Sequence, residues 1–114
     1  MSRVAYLTHA DCAQHDVGPW HPESPRRLQA VDAALRAAPW FGELLEIVPP
    51  HATPEQLARA HAQAHIDGVR DAVPQDGVAW LDPDTGLNPH SWQAALAAAG
   101  AAVRAVDAVT AGEA

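Results

Sequence analysis

The sequence predicts an α/β fold built on a parallel sheet, and it predicts only a part of one. Two short β-type runs, Val4–Thr8 and Leu45–Val48, are separated by a helical stretch. A helical crossover returns the chain in the same direction, so the two runs form a parallel pair. Parallel sheets need cover on both faces and usually more strands than two. No third convincing strand occurs in the 114 residues. The sheet edges therefore stay open, and the chain reads as a piece of a larger doubly wound domain, mostly helical in this segment.

The elements follow in order. His9 to Glu23, with Gly18-Pro19 and His21-Pro22, reads as a loop. Ser24 is a good N-cap and Pro25 suits the first helical position, where its missing N–H is not needed. Leu28, Val31 and Leu35 continue at helical spacing until Ala38-Pro39 ends the helix. Pro49-Pro50 closes the second strand, since neither proline can donate to a ladder. Thr53-Pro54-Glu55-Gln56 is a capping box that opens a helix through about His61, and a further helix from Ala62 to Val73 carries Ile66, Val69 and Val73 on one face. Pro74 to Leu87 reads as an acidic loop. Asn88 caps the last helix and Pro89 begins it, and Trp92, Leu96, Ala99, Val103 and Val106 form its apolar stripe, expected to face the core. Gly100 in mid-helix costs roughly 1 kcal/mol against Ala, and with the small residues flanking the stripe it suggests close packing against a sheet.

Composition narrows the function classes. The chain is 48% hydrophobic, but Ala inflates that figure and buries little surface, so the core is expected to be thin. A net charge of -7 without any basic run disfavours nucleic acid and anionic membranes. The single cysteine, Cys12, excludes an internal disulfide, and with no long apolar run or leader-like N-terminus a cytoplasmic location is expected.

Seven histidines raise the question of a metal. His9, Cys12, His15 and His21 fall in one loop at spacings that can supply zinc ligands. The competing reading is a histidine cluster bonded to backbone, and it is preferred because lone short motifs often match by chance. His61 and His65 lie i, i+4 on a helix without the intervening Glu of metalloproteases. Cys12 beside two histidines is a weak signal for a nucleophile. Asp76, Asp82 and Asp84 read first as a solvated acidic loop.

Several motifs resemble, in order and spacing, the N-terminal part of the histone deacetylase and acetylpolyamine amidohydrolase superfamily. They are His15-x-x-Gly18-x-x-His21-Pro22-Glu23-x-Pro25-x-Arg27, Ala60-His61-x-x-x-His65-Ile66, Leu81-Asp82-Pro83-Asp84-Thr85, and Ser91-Trp92-x-Ala94-Ala95-Leu96 running on to Gly112-Glu113. The resemblance implies an arginase/deacetylase-like doubly wound domain, with residues 1–114 as the N-terminal part of that single domain and no complete second domain. It implies zinc-assisted hydrolysis of N-acyl amines such as acetyl-lysine or acetylpolyamines.

The sequence contains no Asp-x-His pair and no His-His dyad, so the zinc ligands are expected beyond Ala114. No cofactor and no catalytic residue is expected within this chain, and its partners would be the acylated amine and the remainder of the catalytic domain. By resemblance, Asp82 or Asp84 is the rim aspartate that accepts hydrogen bonds from substrate amides, with Asp82 preferred. Arg27 matches an arginine lining an internal channel that suits departing acetate; the alternative is a surface pair with Glu23. A second function class remains: a non-catalytic helical binding or scaffold module, or a truncated product, for which Trp20, Trp40, Trp80 and Trp92 would supply an exposed patch, although at least two of them are expected in the core or at a pocket rim.

Overall fold

Strands β1 (Ala5–Leu7) and β2 (Leu45–Ile47) pair in parallel, with Ala5 opposite Leu45 and Leu7 opposite Ile47, as the sequence predicts. The structure, a computed structural model, describes residues 3–114. Helix α1 (Pro25–Ala37) makes the crossover; the Ser24 side chain accepts the Arg26 amide at its start. Polar bonds fasten it to the sheet. The Tyr6 hydroxyl donates to Asp32 at 2.8 Å, Arg36 donates to Asp32 and to Glu46, and the Arg36 guanidinium lies 5.0 Å from the Phe41 ring centroid. These contacts leave their mark on the titrations: Arg36 holds the Asp32 carboxyl below the usual range, and burial with the Asp32 bond pushes the Tyr6 phenol up.

Two expectations change in the loops. The stretch after β1 is not all loop, because Ala10–Gln14 form a 3₁₀ turn whose first amide, that of Asp11, donates to His9 Nδ1. Such a turn is too short to show a helical stripe in sequence. The acidic stretch is also not a plain loop. Ala79–Asp82 (β3) and Thr85–Leu87 (β4) pair as an antiparallel hairpin, with an irregularity between Trp80 and Asp82. Val78, Trp80 and Leu81 carry β propensity, but the run is short and its proline-bearing turn hid the strands.

Helices α2 (Pro54–Ala58) and α3 (Gln63–Ala72) form an open pair. The capping box at Thr53 and Gln56 is present in both directions, at 3.2 and 2.9 Å. α2 stops at Ala58, short of the expected His61.

Helix α4 (Ser91–Thr110) starts later than expected and turns a different face inward. Its N-cap is His90, while Asn88 acts from two residues upstream. The residues it buries are Ser91, Ala94, Ala97, Gly100 and Ala108, whereas Trp92, Leu96, Ala99 and Val103 are half-buried and Val106 is exposed. At 100° per residue the small seam and the large stripe lie on opposite sides of the helix. The small side lets backbone come close. The amide of Ala52 donates to the Leu96 carbonyl at 2.9 Å, and a Cβ on Gly100 would stand 1.9 Å from the Pro50 oxygen. The close packing is there, but at Gly100 it is against the Pro50–Ala52 segment that follows β2 and not against a strand as expected. At the far end Gly112, at φ +78, closes the helix, with the Glu113 amide donating to the Ala108 carbonyl.

The core is thin. Its buried apolar side chains are Val17, Ala52, Ile66, Leu87, Ala94, Ala97 and Ala108, with Pro49 fully enclosed, so more than half of them are alanine. The radius of gyration is 15.8 Å. A compact domain of this length has about 13 Å.

Candidate functional site

A polar clasp ties the loop after β1 to the start of α4. Buried Asn88 donates from Nδ2 to the carbonyls of Gln14 and Asp16, at 2.8 and 3.1 Å, and its Oδ1 accepts the His90 amide. Its own amide donates to Ser91 Oγ at 2.8 Å, and that hydroxyl lies 2.6 Å from His15 Nδ1. The three-residue spacing Asn88-x-x-Ser91 is that of a capping pair, which is the only sign of this clasp in the sequence. Its consequence is that His15 is held in place at one wall of a cavity.

That cavity measures about 380 Å³ and is lined by Cys12, His15, Glu23, Arg27, Gly86 and Ser91 among others. Arg27 reaches it from the first turn of α1. Glu23 stands 3.7 Å from His15 Nε2, and no Glu23–Arg27 ion pair forms among the described residues. Arg27 itself is exposed, and a guanidinium at a cavity wall that is largely apolar apart from Glu23 and His15 is suited to a small carboxylate.

The rim is built by the hairpin turn and the His21 loop. His21 is buried; its Nδ1 accepts the Glu23 amide at 3.0 Å, which leaves the ring proton on Nε2. That Nε2 faces the Asp84 carbonyl at 3.1 Å and the Asp84 carboxylate at 3.2 Å. The two aspartates thus have different employments. Asp82 uses one oxygen to accept the Asp84 amide at 2.8 Å and the other to accept the Thr85 hydroxyl at 2.9 Å, and these bonds hold its carboxyl below the usual range. The Asp84 carboxylate is 89% exposed and faces solvent. Beside it Trp20 stacks on Trp80 with centroids 5.7 Å apart, and both rings are exposed. Trp40 is exposed as well and Trp92 half-buried, so none of the four tryptophans belongs to the core.

His9, Cys12, His15 and His21, the less favoured loop metal site, do not converge. His15 is taken by Ser91, His21 by Asp84, and Cys12 lies 3.9 Å from the Ala94 carbonyl. His9 instead meets Asp11 and His51, a residue the sequence reading passed over because it lies forty positions away in the chain. Burial and the Asp11 charge push the Cys12 thiol up, against a thiolate nucleophile or ligand. His61 and His65 face each other at 5.1 Å between ring centroids, beside a second cavity of about 180 Å³ between α3 and α4. The resemblance implies a catalytic zinc, and the residues lining the larger cavity do not fit one, since His15 is bonded to Ser91, the Cys12 thiol is pushed up, and the Arg27 cation shares the cavity with the single carboxylate, Glu23. No helix among the described residues is long and apolar enough to cross a membrane.

Comparison with known proteins agrees with this geometry. The histone deacetylase domain model matches residues 21–114. Histone deacetylase 15 of Arabidopsis thaliana is 38% identical over 81 residues, which is 70% of this chain and 14% of that protein. A histone deacetylase-like amidohydrolase of Pseudomonas aeruginosa is 29% identical over 98% of this chain and 34% of its own length, and an uncharacterized protein of Synechocystis sp. is 33% identical over 91% of this chain and 35% of its own. The crystal structure of the HDA15 HD domain superposes with a TM-score of 0.88 at 30% identity, covering 98% of this chain and 33% of that one. The chain spans about a third or less of the length of these relatives. With the motifs in order, the α/β architecture reproduced and most of its length matched by the family model, this chain belongs to the histone deacetylase family.

Proposed function

We propose that this chain is the first part of a deacylase domain that hydrolyses N-acyl amines, such as acetyl-lysine or acetylpolyamines. It supplies the sheet edge, the rim loop and the Arg27 wall, while zinc and its ligands come from residues that follow Ala114. The carrying observation is surface. The chain exposes 7440 Å², where a compact monomer of 12.0 kDa exposes about 6,000 Å². The excess is rich in large apolar side chains, Val31, Val106 and Val109 among them, each more than half exposed. Such a surface suits a unit that docks against further strands and helices of its own domain. On this reading the chain has no deacylase activity alone.

Within that domain Arg27 binds the departing carboxylate, and Asp84, rather than Asp82, accepts the substrate's amide hydrogen bonds. Asp82 has both oxygens committed to the turn, whereas Asp84 presents a free carboxylate at the rim, steadied by buried His21. Charge-assisted bonds of this kind predict that Asp84→Ala in the complete enzyme lowers kcat/KM for an acetyl-lysine peptide about tenfold to a hundredfold. An unchanged kcat/KM in that variant removes the rim role. Chelator-sensitive turnover of an acetyl-lysine reporter by the isolated chain overturns the division of labour, and so does a coding sequence beyond codon 114 without an Asp-x-His pair and a His-His dyad.

A further inference from the structure

We propose that His9, Asp11 and His51 form a binding site for one divalent transition-metal ion of the zinc type, separate from the Arg27 cavity. The three side chains come from two segments that meet just past the carboxyl ends of the paired strands. His9 and Asp11 follow β1, and His51 follows β2. That end of a parallel sheet is where α/β folds place their ligands. His51 Nε2 lies 2.7 Å and His9 Nδ1 3.7 Å from Asp11 Oδ2, and all three candidate ligand atoms fall within 4.8 Å of one another. Two ligands on a tetrahedral zinc at about 2.0 to 2.1 Å are separated by roughly 3.3 Å. The observed spacings bracket that edge, so small side-chain rotations close the site.

Both halves are positioned by backbone. His9 caps the 3₁₀ turn that carries Asp11. His51 sits between fully enclosed Pro49 and buried Ala52, whose amide is bonded to α4. The three side chains are 21%, 36% and 32% exposed, enough for an ion to enter and too little for the groups to wander. Two imidazoles and one carboxylate favour zinc, cobalt, nickel or copper over magnesium or calcium, and leave a fourth position for water. In the metal-free arrangement His9 Nδ1 accepts the Asp11 amide and His51 Nε2 donates to Asp11 Oδ2. A metal takes the His9 lone pair, so binding competes with the cap of the 3₁₀ turn. This site shares only His9 with the less favoured set His9, Cys12, His15 and His21, and it departs from the expectation that the chain holds no metal.

The test is titration of the purified, metal-stripped protein with Zn2+ by calorimetry, and with Co2+ followed by its visible absorption. One equivalent with a tetrahedral cobalt spectrum is expected beyond any held elsewhere in a longer protein. His51→Ala should remove that equivalent, weakening binding by more than the roughly 10- to 100-fold that loss of an outer-shell partner costs. Asp11→Asn should weaken it too, and Cys12→Ser and His15→Ala should leave it unchanged. Zn2+ should raise the melting temperature of the parent but not of His51→Ala, whose metal-free melt should match the parent because the ring is partly exposed. Absence of the equivalent, or its loss in Cys12→Ser or His15→Ala but not in His51→Ala, overturns the proposal. Neither result bears on the deacylase reading, which predicts chemistry at Arg27 and Asp84.

Discussion

Along one side of α4 the side chains are small and closed off, with Ala97 and Ala108 at 0% exposure, while along the other they are larger and more open, with Val106 at 65%. Hydrophobicity alone ranks these sides the wrong way round. The small side is covered because small residues let backbone itself approach, as Pro50 and Ala52 do, and the 3₁₀ turn and β1 pack there too. The first half of the large side faces α3 across a cavity. The difference separates two kinds of surface in one helix: one closed by backbone of this chain, and one left half-buried to exposed among the described residues.

The largest effect belongs to the closed side. Gly100→Val should prevent folding or lower stability by at least the upper end of the roughly 1–3 kcal/mol typical of overpacking, because a Cβ there meets the Pro50 oxygen at 1.9 Å and backbone cannot rotate aside. Urea denaturation measures it. A Gly100→Val chain with an unchanged midpoint would mean that α4 and the Pro50 segment are not in contact.

Next is the polar end of the same side. Asn88→Ala strips partners from two loop carbonyls, from the His90 amide and from Ser91 Oγ at a buried position. Each buried group left unsatisfied costs about 1–3 kcal/mol, reduced where water can enter. Loss of stability in that range should be accompanied by release of His15, visible as a shifted imidazole resonance. Stability loss without a change at His15 would separate the clasp from the cavity.

These two sites also mark how far the sequence could be read. Local signals were legible: Ser24 with Pro25, Thr53 with Gln56, the parallel pair and the need for space at Gly100 all depend on neighbours within a few residues or on a steric fact about glycine. The motif order led to the family. What stayed hidden depends on approach between distant segments. Which side of α4 is buried depends on what approaches it: hydrophobicity points to the large stripe, but the Pro50–Ala52 backbone packs against the small seam. His51 joins His9 only through β1–β2 pairing, and the division of roles between Asp82 and Asp84 follows from a hairpin that a three-residue strand hardly announces.

A smaller, local effect is expected at that hairpin. Asp82 has its folded pKa depressed, first by the Asp84 amide and then by the Thr85 hydroxyl. A depressed carboxylate contributes stability that is fully present above its ordinary pKa and is lost as pH falls through the lower, folded one. Acidification below the usual carboxylate range should therefore loosen the turn, read as faster exchange of the Asp84 amide and weaker Trp20–Trp80 stacking, while the global melt hardly moves. Asp82→Asn should exchange fast already at neutral pH. A turn whose exchange is insensitive to acid in the parent chain would remove Asp82 as its fastening.

The smallest effect is the sharpest test of the open side. Val106→Glu places a charge on the large stripe, where the parent side chain is already 65% exposed. In this chain alone the substitution should change stability by no more than about 0.5 kcal/mol, as at other surface positions away from special features. It should also lower self-association, because it interrupts an exposed apolar strip. In a longer protein whose further strands cover the stripe, the same change should cost at least the roughly 1.5–3 kcal/mol gained by burying a valine-sized side chain, with the charge adding to it. The contrast between the two measurements is the informative quantity, since helix propensity and local charge are common to both and cancel. If Val106→Glu unfolds the 114-residue chain, the stripe is covered by the chain itself, and the two sides of α4 are not different in kind.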